Sequence, residues 1–215
     1  MSTYSAIVRF FQEGGMFMYP IMLVMAAGLA IALERYLYLS RSRSINRKMW
    51  NELKPVLQNG KYQQAMTTVS KSDTAICKIL SYGLSRIRTA RRREDIEMAM
   101  EEGLMEIIPR LEKRTHYLAS FANIATLLGL LGTIIGLIQA FTAVANANPA
   151  EKAELLSSSI SVAMNTTAFG LMVAIPLLLV YSLLQSRTTE IVDSLEMAAV
   201  KFLNMVTDRT KSEAA

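Results

Sequence analysis

Charged residues are absent from three long stretches of this sequence, which consist mainly of small and aliphatic residues. These stretches, without any Asp, Glu, Lys or Arg, are 14–33, 116–150 and 155–186. An α-helix needs about 20 residues to cross a hydrocarbon core of about 30 Å. The pattern therefore predicts three transmembrane helices, over 16–39, 117–145 and 159–185.

The polar parts of the chain show the periodicity of amphipathic helices. Apolar residues recur at intervals of three and four within the segment between the first two spans, most clearly over 95–108. The same spacing continues beyond the third span. We therefore predict a helical domain over 40–116 and a helical tail over 186–215. The helix at 95–108 is expected to continue through Pro109, with a kink, directly into the second span.

Short motifs predict where some of these helices begin and end. Asn59-Gly60 is typical of a turn between two helices, and Ser72-Asp73-Thr74 is typical of a helix start. Near the N-terminus, alternating apolar and polar residues are followed by Gly14-Gly15. We predict an amphipathic helix within 1–15 that lies on the membrane surface and ends at this hinge.

Positive charge is concentrated between the first two predicted spans. That segment contains 16 of the 23 lysines and arginines, whereas the link between the second and third spans contains only Lys152. Basic residues near the ends of spans mark the cytoplasmic side of a membrane. The domain at 40–116 and the C-terminal tail are therefore predicted to be cytoplasmic. The N-terminus and the loop at 146–158 are predicted to be periplasmic.

Together these patterns predict an all-α membrane protein with three transmembrane helices and long cytoplasmic helical extensions. Of the 215 residues, 52% are hydrophobic and 19% are charged, which fits this segregation of apolar from charged segments. The apolar stripes of the extensions need partners, and a chain of this size offers few elements to cover them. We therefore expect a homo-oligomer embedded in the lipid bilayer.

The sequence does not indicate an enzyme. No metal-ligand spacing, phosphate-binding loop or nucleophile constellation is present, and the single Cys77 cannot form an intrachain disulfide. The basic segment 86–93 is followed at once by Glu94, Asp95 and Glu97. Nucleic acid is therefore not an expected partner, and a solvated helix start or a lipid headgroup contact is the better interpretation.

Glycines in the second and third spans predict close helix packing. Gly129, Gly132 and Gly136 follow one another at intervals of three and four, and Gly170 lies in the third span. Small residues at such spacing let helix backbones approach each other. Thr133 lies among these glycines, and its hydroxyl can be satisfied by the carbonyl one turn earlier.

Three consecutive polar residues, Asn165, Thr166 and Thr167, distinguish the third predicted span. Polar side chains at membrane depth need partners or line water. Pro176 in the same span also leaves one backbone carbonyl without its helical donor. We predict that Thr133 and Thr167 face each other across a narrow polar pathway.

Two motifs resemble signatures of the MotA/TolQ/ExbB family of ion-channel stator proteins, and ExbB most of all. The first is GLLGTIIGLIQAF at 129–141, and the second is TTAFGLMVAIP at 166–176. Their order, their separation and the three-span topology are also similar to those of the family. The resemblance covers nearly the whole chain, although only these two motifs are specific.

The resemblance implies a homopentamer in the bacterial inner membrane around a dimer of single-span ExbD- or TolR-like subunits. An aspartate of that partner would carry the ion, with Thr133 and Thr167 facing it. The predicted spans contain no Asp, Glu, Lys or Arg, so an ionisable group has to come from elsewhere. The motor would act on a TonB-like protein, with no cofactor besides the transported H⁺ or Na⁺.

The sequence departs from the family pattern at one position. Many ExbB proteins have a glutamate eight residues before the glycine that matches Gly170, and Val162 occupies that position here. Thr166 precedes Thr167 where proton-driven relatives often have alanine. Two adjacent hydroxyls favour Na⁺ as the coupling ion, because Na⁺ prefers oxygen ligands. The alternative is that Thr166 only packs against a neighbouring helix.

Three other functions remain open from the sequence. The first is a TolQ-like motor for envelope maintenance, and the second is a non-conducting membrane scaffold. The third is a stand-alone channel or transporter, which the absence of charged residues in the spans disfavours for protons.

Overall fold

The computed structural model of the chain describes residues 10–11, 14–87, 89–90 and 92–214. Within these residues, every regular element is an α-helix. The helices with defined bounds are α1 Met18–Gln58, α2 Tyr62–Ser70, α3 Ala75–Arg86, α4 Arg93–Glu112, α5 His116–Asn146 and α6 Lys152–Ala214. Three helical segments, in α1, α5 and α6, are long and apolar enough to cross a membrane. The predicted fold class is confirmed.

The prediction of one helix running from the domain into the second span is wrong. α4 passes through Pro109 but ends at Glu112, and Arg114 has a positive φ of 66°. A residue in this left-handed conformation stops an α-helix. Tertiary contacts hold the break, because the Arg114 guanidinium pairs with Glu34 at 2.9 Å. The Leu111 carbonyl, left free at the end of α4, accepts a hydrogen bond from Arg35.

Other predicted boundaries agree with the helices to different degrees. Asn59-Gly60 forms the expected turn, with φ 68° at Gly60. α3 begins directly after Thr74, as predicted, although no side chain caps it. The link between α5 and α6 covers 147–151 and is therefore shorter than the loop predicted at 146–158. The predicted N-terminal helix at 1–15 lies largely outside the described residues.

The chain divides into two compact units. The membrane unit comprises residues up to Glu34 together with Arg114–Leu183, and the second unit comprises Arg35–Lys113 together with Leu184–Ala215. α1 and α6 each contribute one part to both units.

Small side chains form the buried face of α5 in the membrane unit. Its buried residues include Ala122, Ala125, Gly129, Gly132, Gly136 and Ala140. A Cβ added to Gly170 of α6 would lie 2.7 Å from the Ala125 carbonyl oxygen. A Cβ added to Gly129 would lie 3.2 Å from the Thr167 Cα. Gly129 and Gly170 therefore lie where the backbones of α5 and α6 approach each other.

The second unit has its own apolar core. Phe202 of the C-terminal tail is fully buried, and a Cβ on Gly83 of α3 would come within 2.8 Å of its ring. The tail residues Ile191 and Leu195 are also buried. The tail is helical, as predicted, but its apolar stripe already packs within this chain. That stripe is therefore not a reason to expect a homo-oligomer, because the part of α1 beyond Glu34 and the short helices α2–α4 supply its partners.

Candidate functional site

Thr133 and Thr167 come together in the membrane unit, as the sequence predicts. Thr133 Oγ1 hydrogen-bonds with Thr167 Oγ1 between α5 and α6. Thr167 Oγ1 also lies 2.9 Å from the Gly129 carbonyl oxygen, and Thr133 Oγ1 lies 3.2 Å from the same oxygen. The Ala163 carbonyl oxygen is 3.4 Å from Thr133 Oγ1. The four oxygens form one cluster, which we call the threonine cluster.

Glycine makes this cluster possible. The Gly129 carbonyl can accept a hydrogen bond from Thr167 only because the two backbones approach closely at Gly129 and Gly170. A side chain at either position would meet backbone atoms of the facing helix. The close approach therefore fixes which hydroxyls meet, and it also narrows the space between the helices.

Thr166 lies apart from the threonine cluster. Its hydroxyl is 2.6 Å from the Gly14 carbonyl oxygen and 3.0 Å from the Val162 carbonyl oxygen, and the residue is only 2% exposed. Successive helical residues are rotated by about 100°, so adjacent hydroxyls are directed to different neighbours. Of the two interpretations of Thr166, the structure favours packing against a neighbouring segment.

Asn165 is not brought to the threonine cluster either. It is half-buried, and its side chain has no hydrogen-bond partner among the described residues of the membrane unit. Ser161, one turn earlier on α6, is exposed. An amide at membrane depth seeks a partner, and on this face of α6 the described residues do not provide one.

Val162, at the position of the family glutamate, lies against the segment that precedes α1. A Cβ added to Gly15 would be 3.2 Å from Val162 Cγ1, and Gly15 has φ 74°. Pro176 lies inside α6, exposed on its surface. Phe10 and Phe11 contact the Phe169 ring, with centroid distances of 6.3 and 5.0 Å. Phe10, Phe11 and Gly14 are thus packed on α6 near Thr166.

Backbone carbonyls are the part of this site that sequence reasoning missed. The sequence predicts a packing role for Gly129, but its carbonyl is also the shared acceptor of both threonine hydroxyls. The sequence predicts a hinge at Gly14, but its carbonyl also accepts a hydrogen bond from Thr166. Both glycines are visible in the sequence as breaks or small residues. Their role as hydrogen-bond acceptors depends on which segment faces them, and the sequence does not reveal that.

The site contains oxygen donors and acceptors but no titratable side chain. Asp, Glu, Lys and Arg are absent from 116–150 and 155–186, which include both threonines. Among the described residues, no group of three or more His, Cys, Asp or Glu lies close enough to hold a metal ion. The cluster can therefore bind or guide a cation through neutral oxygens, or donate hydrogen bonds to an anionic group brought by another chain.

The fold and the site define a helical membrane protein with three apolar helices and a hydroxyl cluster between two of them. A family model described as the MotA/TolQ/ExbB proton channel family matches residues 71–197, and this chain belongs to that family. The resemblance inferred from the two motifs is confirmed. The family is one of channel proteins of the inner membrane rather than a known class of enzyme.

Curated relatives carry names from the same family. A biopolymer transport protein ExbB homolog of Methanothermobacter thermautotrophicus is 30% identical over 196 residues, which cover 90% of this chain and 68% of that protein. An ExbB-like protein 1 of Synechocystis is 28% identical over 185 residues, with 85% and 72% covered. The Tol-Pal system protein TolQ of Haemophilus influenzae is 34% identical over 93 residues, with 43% and 40% covered.

Proposed function

We propose that this chain is the helical subunit of an ion-driven motor that energises biopolymer transport across the cell envelope. Its family is that of proton channels, and relatives that align with most of its length are named as biopolymer transport proteins. The observation that carries the proposal is the threonine cluster, because it lies where the two most specific family motifs meet. Energising a TonB-like protein is the proposed task.

The proposed assembly is a homopentamer around a dimer of ExbD/TolR-like single-span subunits. Large apolar side chains on the outward faces of α5 and α6 support contacts with other helices or lipid, since the described residues of this chain leave them exposed. Those exposed by more than half include Ile138, Phe141, Met164, Met172 and Ile175. The side chain of Asn165 has no hydrogen-bond partner among the described residues. This favours contact with a neighbouring protein rather than with lipid alone.

In the proposed mechanism, the partner helix brings an ionised carboxylate to the threonine cluster. Two hydroxyls whose hydrogen bonds are now made to each other and to carbonyls can rotate to donate to a carboxylate. Such charge-assisted hydrogen bonds lower the cost of holding the charge at membrane depth. Ion binding neutralises the carboxylate and weakens these bonds, so the partner helix is released. Repeated around a ring, this alternation would turn or strain the partner.

The assembly is tested by the native mass of the detergent-purified chain, alone and co-expressed with its single-span partner. We expect a five-fold assembly that takes up two partner chains. A five-fold assembly that takes up no partner would favour the scaffold. Ion flux through the chain alone would favour a stand-alone channel. A monomer that ignores the partner would contradict the motor architecture itself.

The coupling ion is proposed to be Na⁺, with H⁺ as the alternative. Four neutral oxygens, from Thr133, Thr167, Gly129 and Ala163, are linked by hydrogen bonds from the two hydroxyls, and Na⁺ is a hard cation that prefers such ligands. Thr166 no longer supports this proposal, because its hydroxyl is directed to Gly14.

We expect motor activity in vesicles that contain the chain and its partner to fall at least about tenfold when Na⁺ is replaced by K⁺. The proton gradient is held constant, and a proton-driven carrier in the same vesicles serves as the control. Full activity without Na⁺ would assign the motor to protons and leave the rest of the proposal intact.

The orientation proposed from the charge pattern puts the N-terminus in the periplasm and the second unit in the cytoplasm.

A TolQ-like role in envelope maintenance is the second candidate, supported by the TolQ relative. Complementation separates the two tasks. Restored iron-siderophore uptake in a strain without its ExbB would support the first, and restored detergent resistance in a strain without its TolQ would support the second.

A further inference from the structure

The second unit contains a cavity of about 320 Å³ between α1, the start of α3 and the end of α4. Its lining combines polar groups with the apolar side chains of Ile45, Ile107 and Leu111. The polar groups are contributed by Tyr38, Arg41, Ser42, Asn46, Asp73, Thr74 and Arg110. None of these residues belongs to the threonine cluster, and the proposed motor mechanism does not use them.

The charges at this cavity favour an anion. Among the described residues, Arg41 has neither a carboxylate partner nor a hydrogen-bond partner. Arg110 is paired with Glu106 at 2.6 Å, but a guanidinium has five N–H donors and can serve a second acceptor. The one carboxylate in the lining, Asp73, is paired with Lys78 at 2.8 Å. With these pairs balanced, Arg41 leaves the cavity with an excess of positive charge.

The carboxylate of Asp73 stays ionised and engaged with Lys78. The hydrogen bond from Lys78, followed by the charge of that ammonium, lowers the pKa of Asp73 below its ordinary value. The negative charge of Asp73 is therefore balanced by Lys78 and does not cancel the positive charge of Arg41.

The start of α3 adds a second source of positive potential. Thr74 precedes α3 in an extended conformation and makes no side-chain cap, so backbone N–H groups at this end remain available. A helix N-terminus favours phosphate groups for this reason. The Ile76 N–H is already engaged by Asn46 Oδ1 at 3.1 Å, and the Asn46 amide donates to Ser42 at 3.2 Å. These bonds fix the polar wall before any ligand binds.

A buried arginine fixes the opposite wall. Arg35 is only 3% exposed, and its guanidinium lies 4.8 Å from the centre of the Tyr38 ring. It also donates to the Leu111 carbonyl. Tyr38 and Leu111 both line the cavity, so Arg35 holds α1 and the end of α4 at the separation that keeps the cavity open.

We propose that this cavity binds the phosphate group of an anionic ligand, which in the membrane is a phospholipid headgroup of the cytoplasmic leaflet. Arg41 and Arg110 would contact the phosphate oxygens. The choice of a lipid rests on the proposed topology, in which the first span ends near 39. Tyr38 and Arg41 would then lie at headgroup level.

The test uses the full-length chain in detergent micelles and follows its thermal unfolding. The probes are phosphatidylglycerol, phosphatidylcholine, sn-glycerol 3-phosphate and inorganic phosphate. We expect saturable stabilisation by phosphatidylglycerol and little by phosphatidylcholine. Arg41→Gln should weaken the apparent affinity for phosphatidylglycerol roughly tenfold, because one charge-assisted hydrogen-bond partner is lost. Arg41 is exposed, so this variant retains the fold.

Two further variants separate a cavity site from general attraction to anionic micelles. Lys54→Gln removes an exposed charge from the same helix outside the cavity, and it should bind like the wild type. Ala75→Phe fills the cavity without changing its charge, and it should lose saturable binding. Equal losses in Arg41→Gln and Lys54→Gln, or full binding by Ala75→Phe, would overturn the site.

The soluble probes identify the source of the phosphate. Stabilisation by phosphatidylglycerol alone supports the headgroup. Equal stabilisation by sn-glycerol 3-phosphate or inorganic phosphate, lost in Arg41→Gln, overturns the lipid assignment and supports a soluble phosphate ligand. Native mass is measured on the same samples. If phosphatidylglycerol fails to stabilise the wild-type chain while the assembly is five-fold, the cavity proposal is overturned. The motor proposal would then stand.

Discussion

Thr167→Val should reduce partner-dependent ion flux by about tenfold or more while the assembly remains intact. The substitution keeps the shape of the side chain but removes the hydroxyl that bonds to Thr133 and to the Gly129 carbonyl. A carboxylate brought by the partner would then lose one donor in an apolar setting, where few alternatives exist. Flux into vesicles that contain the chain and its partner is the measurement.

Matched variants make this result specific. Thr167→Ser restores a hydroxyl and should recover most of the flux. Thr189→Val removes an exposed hydroxyl of α6 that bonds only to the Gln185 carbonyl of its own helix, and it should have no effect. Flux that is unchanged in Thr167→Val would contradict an ion route at the threonine cluster and favour a purely structural role for both threonines.

Gly170→Ala should destabilise the chain by about 1–3 kcal/mol, although alanine is the better helix former. The added Cβ would lie 2.7 Å from the Ala125 carbonyl oxygen and 3.1 Å from the Gly129 Cα. Both are backbone atoms, so α5 and α6 must move apart, and Thr167 is drawn away from the Gly129 carbonyl. Thermal unfolding in detergent measures the loss, and flux should fall with it.

Gly28→Ala is the matched control for this prediction. A Cβ at Gly28 would lie 2.7 Å from Cδ2 of Leu177, the far end of a flexible side chain. A rotamer change of Leu177 can relieve that contact, so the cost should be smaller than at Gly170. If the two variants are destabilised equally, the distinction between backbone and side-chain contact does not govern this packing.

Both predictions connect helix packing to ion coupling. Glycine on α5 and α6 allows the backbones to approach, and the approach brings two hydroxyls and two carbonyls together. In the proposed mechanism, these oxygens receive the charge of the partner. The chain has no Asp, Glu, Lys or Arg in 116–150 or 155–186, so the proposed motor takes its ionisable group from that partner. Each subunit then has no charged side chain at membrane depth before assembly, where burying a charge is costly.

The position of Val162 bears on the same argument. A carboxylate there would face the Gly14-Gly15 segment, where Val162 now packs and where the Thr166 hydroxyl is satisfied by a backbone carbonyl. An apolar residue is compatible with this packing, since the Thr166 hydroxyl beside it is already satisfied by the Gly14 and Val162 carbonyls. The structure thus explains how the chain accommodates valine at this position.

Much of the fold follows from the sequence by itself. The three spans are determined by charge-free length, because helices that cross lipid must satisfy their own backbone groups over about 20 residues. The helical tail, the turn at Asn59-Gly60 and the pairing of Thr133 with Thr167 could also be predicted. The tail and the turn follow from neighbouring residues alone. The pairing of the threonines follows from their positions within two helical motifs.

The tertiary structure decided what depends on which surfaces meet. The helix breaks before the second span at Arg114, whose φ is positive and whose side chain pairs with Glu34, a residue far away in the sequence. Thr166 differs from Thr167 because a rotation of about 100° directs its hydroxyl to Gly14. The acceptor role of the Gly129 carbonyl has no sequence signal, because every residue has a carbonyl and only the approach of α6 selects this one.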